Sequence, residues 1–386
     1  MNNSTKIFHR KDLITVFVVL SVITILFRCF TLQYTESEKY ANLIEGAEIK
    51  KRSILTSRGS IVDRNNNILA QSLQMDSLII NDTRKFYENK DDIIKMCNFL
   101  DMTYKSLIKK TNGKENKKYI RIKRHLSPEV VDEIKKLNLS GVYFQKEMQR
   151  FYPEGEVLAP LIGRTNYDHE GQMGLELSFD KHLSEENGLK IVKQDGKGEI
   201  VKEIRLVRQP KEGKKLVLTI DKRLQYVAYR ELKNQVINVN AKAGSVVVLD
   251  STNGDILAIA NYPSYDPHLP GSYSDEKSKN RAIIESIEPA STIKPFVLAA
   301  GLHSEKISLL NSKYDTSSGL RVGNYSITDW KNLGDNLTAE DVVVFSSNIG
   351  SVKIAQSFNK KIYYNLLKYV GVGEKIDINF PAEQDG

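Results

Sequence analysis

An apolar segment long enough to cross a membrane lies close to the N-terminus of this 386-residue chain. From Leu13 to Phe27 only two threonines and one serine interrupt the apolar side chains, and the run continues past Arg28 to Leu32. About twenty helical residues span the roughly 30 Å hydrocarbon core of a bilayer, and an arginine at the far end can extend its charge to the interface. The segment therefore predicts a transmembrane helix over residues 13–32.

The residues around this segment predict its orientation in the membrane and whether it is cleaved. Lys6, Arg10 and Lys11 precede it, so residues 1–12 are expected to stay in the cytoplasm and the rest of the chain to be exported. A cleaved signal peptide is the competing interpretation. Residues 28–30 read Arg-Cys-Phe where a small-x-small cleavage site would stand, which favours an uncleaved anchor.

The net charge of the chain indicates which kinds of molecule could bind it. A net charge of +8 and a pI of about 9.1 suit an anionic partner. Nucleic acid is one candidate, but the apolar segment favours a membrane surface or an anionic wall polymer. The two cysteines, Cys29 and Cys97, allow no disulfide framework, and the sequence has no zinc-type cluster of ligands, so neither a metal nor a cofactor is expected.

An octapeptide in the C-terminal half carries the clearest chemical pattern: residues 289–296 read PASTIKPF and open an apolar run. Positions three apart share one face of a helix, which would set Ser291 Oγ beside the Lys294 amine. The unpaired N–H groups of a first helical turn favour an oxyanion at Ser291, and apolar surroundings are expected to lower the pKa of Lys294. Nucleophile, base and oxyanion donor would come from one short segment, although S-x-x-K also recurs by chance.

Further patterns accompany the octapeptide. Residues 346–348 read Ser-Ser-Asn, an S-x-N pattern, and residues 280–282 read Asn-Arg-Ala. Residues 58–65 read Arg-Gly-Ser-Ile-Val-Asp-Arg-Asn, in which Gly59 permits a turn that other residues resist and the charged side chains can cross-link it. By itself that stretch indicates a charged surface turn. Two more short patterns are Arg-Phe-Tyr-Pro at 150–153 and Gly-Leu-Glu at 174–176.

Together these patterns resemble the penicillin-recognising serine transferases, whose order is S-x-x-K, then S-x-N, then K-[ST]-G. The stretches at 58–65, 150–153 and 174–176 are similar to the non-catalytic pedestal of class B penicillin-binding proteins, and Ser72 resembles the division-specific, FtsI-type branch. The resemblance covers nearly the whole chain. It departs at Ala290, where the family usually has glycine, and the 386 residues contain no K-[ST]-G after Asn348.

The resemblance implies an α/β (α+β) multidomain fold. After the anchor, residues 33–210 would form a mixed pedestal, or dimerisation-type, domain. Residues 211–386 would form the first part of a penicillin-binding transpeptidase domain, with helices packed on an antiparallel sheet. The domain would lack the strand that carries K-[ST]-G.

Local patterns predict how the second domain begins. A strand is expected at 216–220, followed by a helix that Asp221 caps. Two apolar runs, 245–249 and 256–259, are joined through Asn-Gly, which predicts a hairpin. The helix is expected to present an apolar stripe, made of Leu224, Val227, Ala228 and Leu232.

A basic stretch at 105–124 holds nine lysine and arginine side chains. A solvated face is the ordinary explanation, and contact with an anionic wall polymer is the sharper hypothesis. Only Tyr119 adds an aromatic ring within the stretch, so a platform for single-stranded nucleic acid is not expected.

For the chemistry, the resemblance implies acyl transfer on peptidoglycan stem peptides that end in D-Ala-D-Ala, during septal wall synthesis. Ser291 would attack the penultimate carbonyl, Lys294 would accept its proton, and Ser346 would relay a proton to the departing D-Ala. Asn348 would hold the peptide amide. The two-step covalent route requires an activated hydroxyl, which a nearby amine supplies. β-Lactams would acylate Ser291, and division-complex membrane proteins and a glycan polymerase are the expected partners.

Two other hypotheses stay open at this level. A catalytically silent, membrane-anchored scaffold fits the lack of K-[ST]-G. A β-lactam sensor or hydrolase is disfavoured, because hydrolases lack the pedestal patterns. In the family the third motif supplies a cation for the substrate carboxylate and an oxyanion donor, so the chain as given is expected to acylate poorly or not at all.

Overall fold

The fold is described by a computed structural model over residues 10–36, 48–111, 119–194, 200–269 and 271–385. It confirms the α/β fold class, because helices alternate with small, mostly antiparallel sheets. The chain divides into two compact units, each assembled from three separate segments of sequence. Of the predicted cytoplasmic tail, residues 1–9 lie outside the described residues.

The predicted membrane span is helical. Helix α1 (Arg10–Phe30) continues into a π-helical turn at Thr31–Thr35. By length and composition, residues Thr15–Thr35 could cross a membrane, with a mean hydropathy of 2.3 and no part buried against the protein. The hydroxyls of Ser21 and Thr24 donate to carbonyls one turn earlier, so these polar side chains keep hydrogen-bond partners within the helix.

Among the described residues, the later helices are short except for one of seventeen residues, α9. In chain order they are α2 (Thr83–Phe86), α3 (Lys90–Phe99), α4 (Tyr104–Thr111), α5 (Pro128–Lys136), α6 (Ala159–Ile162), α7 (Gly174–Ser178), α8 (Asp180–Leu183), α9 (Lys222–Asn238), α10 (Asp275–Ser278), α11 (Arg281–Ile284), α12 (Lys294–His303), α13 (Ala339–Val344), α14 (Asn348–Gln356) and α15 (Lys360–Tyr369). Short 3-10 turns occupy Gly155–Val157 and Ala290–Ile293.

Within the described ranges the strands form six sheets, four of them with only two strands. They are β1 (Glu48–Ile54), β2 (Ile61–Val62), β3 (Ile68–Ile80), β4 (Ile120–Leu126), β5 (Val142–Phe151), β6 (Arg164–Thr165), β7 (Gly171–Met173), β8 (Gly188–Gln194), β9 (Ile200–Arg208), β10 (Leu216–Val217), β11 (Gly244–Leu249), β12 (Ile256–Tyr262), β13 (Lys313–Tyr314), β14 (Leu320–Val322), β15 (Tyr325–Ile327) and β16 (Leu337–Thr338).

The first unit contains residues 1–59, 73–149 and 184–214. Strand β8 lies between β1 and β9 in an antiparallel sheet, and the later part of β3 pairs with β4. Helix α3 begins where the Asn89 side chain accepts the Asp92 N–H, and its buried Ile93, Met96 and Cys97 recur at helical spacing. These side chains enter a core shared by α2, α4, α5 and the strands β3 and β4.

The second unit contains residues 60–72, 150–183 and 215–386. In it β2 pairs antiparallel with the start of β3 and parallel with β10. Three well-separated stretches supply one apolar core, whose buried members are Ile61, Leu69, Ala70, Tyr152, Leu158, Leu161, Ile162, Leu175, Leu183, Ile220, Ile259 and Ile283. Residues far apart in sequence therefore fold as one body. The predicted boundary between residues 210 and 211 stays a prediction.

The hairpin and the capped helix predicted in this unit are confirmed. Strands β11 and β12 pair antiparallel, and Gly254 in the connection adopts a φ of +79° that favours glycine. The Asp221 side chain accepts the backbone N–H groups of Arg223 and Leu224 at the start of α9. The strand predicted over 216–220 is confined to Leu216–Val217.

The predicted apolar stripe of α9 is confirmed for Leu232 and for Ala228, which pack in one core, and is wrong for Leu224 and Val227. Leu224 and Val227 are largely exposed, and the face that packs inward is formed by Gln225, Tyr229, Leu232 and Val236. The buried Gln225 amide accepts the Ile259 N–H and donates to the carbonyls of Ile259 and Val157. Because this amide satisfies backbone groups of β12, a polar side chain occupies the buried face.

The 58–65 stretch is a packed structural element and not an exposed turn. A Cβ on Gly59 would lie 2.0 Å from the Lys214 carbonyl oxygen, so close backbone approach requires glycine there. In the second unit the buried Asp63 carboxylate accepts the N–H groups of Asn65, Asn67 and Lys222. It also accepts the Asn67 side-chain amide. Asp63 thereby ties this turn to the start of α9.

Candidate active site

The S-x-x-K segment forms a 3-10 turn that runs directly into α12. Ala290 adopts a φ of +49°, in the left-handed region that favours glycine, which explains physically why glycine suits this position. Ser291 is exposed, whereas Lys294 retains only 8% of its accessible surface. The helix packs closely on α14, because a Cβ on Gly301 would lie 3.1 Å from Ile354.

The S-x-N segment is a tight turn between α13 and α14. Ser346 adopts a φ of +56°, and the Ser347 side chain caps α14 by accepting the Gly350 N–H at 2.8 Å. A Cβ on Gly350 would lie 2.4 Å from Val342 Cγ2, so the absence of a side chain allows the two helices to approach. Ser346 and Asn348 therefore project from a rigidly held corner.

Lys294 connects the two segments. Its Nζ donates to the Ser346 carbonyl oxygen at 2.6 Å, to Ser346 Oγ at 3.0 Å and to Asn348 Oδ1 at 2.7 Å. Three donors is the full complement of an ammonium group. The structure thus brings three of the four predicted site residues into direct contact.

Ser291 is the predicted site residue that takes no part in this cluster. Among the hydrogen bonds of the described residues, none involves the Ser291 hydroxyl, and all three Lys294 bonds point to the S-x-N turn. No hydrogen bond therefore joins the Ser291 and Lys294 side chains in this arrangement. An exposed, unbonded hydroxyl at the start of a helix is open to a substrate carbonyl.

Burial sets the charge balance of the cluster. Desolvation lowers the pKa of Lys294, and the negative charge of Asp329 opposes this effect in part. The expected direction of the pKa shift is confirmed. A lower pKa makes the neutral amine, which can accept a proton, easier to populate near neutral pH.

Sequence reasoning missed the residues that hold the S-x-N turn. Asp329 follows the small hairpin β14–β15, and its carboxylate accepts the Ser347 hydroxyl at 2.6 Å and the backbone N–H groups of Asn348 and Ile349. The preceding carbonyl, of Thr328, accepts the Asn348 side-chain amide at 3.0 Å. An Asp-Trp pair after a short alternating stretch is too common to have signalled this role.

The patterns at 150–153, 174–176 and 280–282 lie elsewhere in the second unit and make structural contacts. Arg150 Nε donates to Glu176 at 2.7 Å, and both side chains are almost fully buried. The Asn280 side-chain oxygen accepts the amide of Asn261, which itself accepts the Ala282 N–H, so the Asn-Arg-Ala segment is anchored to β12.

Two family models match the chain. The penicillin-binding protein dimerisation domain matches residues 53–218, and the penicillin-binding protein transpeptidase domain matches residues 244–386. The chain belongs to the penicillin-binding proteins. The S-x-x-K and S-x-N residues of this penicillin-binding protein, including Ser291 and Asn348, fall within the second match.

Curated relatives agree with the family. The chain is 35% identical over 376 residues to the probable peptidoglycan D,D-transpeptidase PenA of Neisseria gonorrhoeae, covering 95% of this chain and 64% of that protein. It is 32% identical over 374 residues to the peptidoglycan D,D-transpeptidase FtsI of Escherichia coli K12, covering 96% of this chain and 63% of that protein. This penicillin-binding protein thus spans just under two thirds of the length of these relatives.

Solved structures share the fold. A structure described as "Structural coordination of polymerization and crosslinking by a peptidoglycan synthase complex" aligns with a TM-score of 0.68 at 23% identity, over 98% of this chain and 70% of the other. A peptidoglycan synthetase from Bifidobacterium adolescentis aligns with a TM-score of 0.59 at 23% identity, over 87% and 66%. At this level of identity the likeness concerns the fold of the penicillin-binding protein.

Proposed function

We propose that this penicillin-binding protein is a peptidoglycan D,D-transpeptidase that cross-links stem peptides during septal wall synthesis and is a target of β-lactams. The observation that carries the proposal is the buried Lys294 amine, which binds Ser346 and Asn348 one helical turn from an exposed Ser291. The names of the relatives, D,D-transpeptidases of the PenA and FtsI types, support the same reaction.

The reaction proceeds in two acyl transfers. Ser291 Oγ bonds to the carbonyl carbon of the penultimate D-Ala, and its proton passes to neutral Lys294. Ser346 relays a proton to the amine of the departing D-Ala. Asn348 holds the peptide amide of the stem peptide. An amine of a neighbouring stem peptide then bonds to the acyl carbon, the ester bond to Ser291 breaks, and the proton that the amine loses returns to Ser291 Oγ.

A membrane anchor fits this task. Residues 1–12 would lie in the cytoplasm, 13–32 in the bilayer, and the pedestal (33–210) and transpeptidase (211–386) domains outside, with division-complex membrane proteins and a glycan polymerase as partners. An alkaline phosphatase fused after Gly386 is expected to be active, and a reporter that works only in the cytoplasm is expected to be silent. A cytoplasmic signal would contradict the proposed orientation.

Covalent labelling with fluorescent penicillin tests the catalytic roles, in a catalytic domain completed by a K-[ST]-G segment. Ser291→Ala is expected to abolish labelling, and Lys294→Ala to lower its rate by several orders of magnitude because the base is lost. Asn348→Ala is expected mainly to weaken binding. Persistent labelling of Ser291→Ala would move the nucleophile elsewhere, with Ser346 tested next.

The polypeptide of 386 residues tests how far the reaction depends on K-[ST]-G, which these residues do not contain. Losing one oxyanion donor typically costs about 10²–10³ in rate, and the carboxylate contact would be lost as well. The chain of 386 residues is therefore expected to label poorly. Stoichiometric labelling at Ser291 would show that the third motif is dispensable.

A further inference from the structure

We propose that Asp329 is a positioning residue, which holds the Ser346–Asn348 turn in the shape that presents its oxygens to Lys294. The inference rests on the proposed function, because it concerns the base of that reaction. It adds a residue outside the S-x-x-K and S-x-N patterns to the machinery of acyl transfer.

The contacts of Asp329 converge on the turn. One carboxylate oxygen accepts the Ser347 hydroxyl at 2.6 Å, and the other accepts the backbone N–H groups of Asn348 and Ile349. These N–H groups belong to the first turn of α14, where no carbonyl of the helix can reach them. A carboxylate at this end of a helix is also favoured by the helix dipole.

The residues before and after Asp329 bond to residues at the two ends of the S-x-N turn. The Thr328 carbonyl accepts the side-chain amide of Asn348, and this turns Asn348 Oδ1 toward Lys294. The Trp330 indole N–H donates to the Phe345 carbonyl at 3.3 Å, just before Ser346. Residues 328–330 thus each form a hydrogen bond to the S-x-N turn or its flanking residues, and Asp329 forms the most.

The turn requires such support because of its backbone. Ser346 has a φ of +56°, a conformation that residues with a side chain adopt rarely and that surrounding contacts must maintain. Both the carbonyl oxygen and Oγ of Ser346 bind Lys294 in this conformation. Relaxation of Ser346 to negative φ would redirect these two acceptors away from the amine.

Asp329 also acts on Lys294 through its charge. The helices packed against α12 carry other charged groups: Glu340 and Asp341 on α13, Lys353 on α14, and Lys360, Lys361 and Lys368 on α15. Of these, Asp341 bonds to Thr338, Lys353 donates to the Asp315 carbonyl and Lys368 pairs with Glu374. The charge of Asp329 opposes the lowering of the pKa of Lys294 by burial. Replacing Asp329 by a neutral residue of the same shape is therefore expected to move the pKa of Lys294 further down.

Competitive acetylation measures the pKa of Lys294 on the full chain in detergent. Acetic anhydride reacts with neutral amines, so the extent of Lys294 acetylation against pH, read by peptide mass spectrometry, yields the pKa of Lys294 and its limiting reactivity. The variants are Asp329→Asn, which removes charge and keeps shape, and Ser347→Ala, which loosens the turn and keeps the charge. Asp335→Asn, an exposed carboxylate of the same loop, is the matched control.

The expected outcomes differ between the variants. Asp329→Asn moves the acetylation midpoint of Lys294 to lower pH, and Ser347→Ala raises its limiting reactivity several-fold because the amine loses bonded partners. Asp335→Asn leaves both unchanged. A midpoint unmoved or raised in Asp329→Asn, or a limiting reactivity unmoved in Ser347→Ala, would overturn the inference.

Penicillin acylation, measured separately, tests the proposed function. In a completed catalytic domain Asp329→Ala is expected to slow acylation about 10²-fold, the usual penalty when a reacting group is misplaced by about 1 Å. If the parent protein is never acylated while the acetylation shifts occur, the proposed function is refuted and the positioning role of Asp329 is supported. If acylation is normal in Asp329→Ala, the positioning role is refuted.

Discussion

Replacement of Glu176 by glutamine is expected to destabilise the second unit severely. Arg150 Nε lies 2.7 Å from Glu176 Oε1, and the two side chains retain 3% and 0% of their exposure. Removing one partner of a buried ion pair leaves an uncompensated charge and typically costs about 3–5 kcal/mol. That is a large share of the roughly 5–15 kcal/mol that stabilises a typical domain.

The assay is urea unfolding followed by tryptophan fluorescence. The sequence has a single tryptophan, Trp330, and it belongs to the second unit, so its emission reports that unit. With a urea dependence of about 3 kcal/mol per molar for a unit of this size, the midpoint is expected to fall by about 1–2 M.

Two controls separate burial from charge. Glu186→Gln breaks an exposed ion pair with Lys211 and is expected to leave the first unit's stability nearly unchanged, by circular dichroism. The double change Arg150→Met with Glu176→Leu replaces the buried pair by apolar side chains and is expected to recover most of the loss. A midpoint shift below about 0.3 M in Glu176→Gln would refute the reasoning, since about 1 kcal/mol is the size of an exposed interaction.

Three further predictions concern backbone strain, close packing and pH. Ala290→Gly removes a left-handed conformation from a residue with a side chain and is expected to raise the stability of the second unit by up to about 1 kcal/mol, by urea unfolding. Gly350→Ala places a methyl group 2.4 Å from Val342 and is expected to lower the urea midpoint and the rate of penicillin labelling together. Burial raises the pKa of Asp63, but the hydrogen bonds from Asn67 and from backbone N–H groups outweigh burial, so the pKa is lowered overall. This carboxylate therefore stabilises the fold above about pH 4, and the stabilisation is lost as the pH falls through its folded pKa. Asp63→Asn should therefore reduce stability at pH 7 and flatten its decline on acidification.

Patterns that depend on local rules could be predicted from the sequence. The span at 13–32, the Asn253-Gly254 hairpin and the Asp221 cap each follow from residues close together in the chain, and the structure has helix, hairpin and cap there. The S-x-x-K and S-x-N residues were identified by their types and order. Their roles stay proposals.

Features that depend on distant residues could not be predicted in this way. Periodicity placed apolar side chains on the buried face of α9, but backbone groups of β12 select Gln225 instead. Helical spacing predicts Lys294 beside Ser291, but it gives no sign that a turn fifty residues later offers the amine three acceptors. No local pattern marks Asp329, because the N–H groups that it accepts, of Asn348 and Ile349, come near it only in the tertiary fold.

The three-segment composition of the second unit has a consequence for biogenesis. Residues 60–72 leave the ribosome early, yet the partners of Ile61 and Leu69 include Tyr152 and Ile220, which are synthesised much later. Contacts of such long sequence separation form slowly. Until those partners are made, the early strand would remain with its apolar side chains uncovered, the condition in which a partly folded chain is prone to aggregate. A fragment beginning at residue 211 would lack the early strand altogether and would expose the face that Ile61 and Leu69 cover.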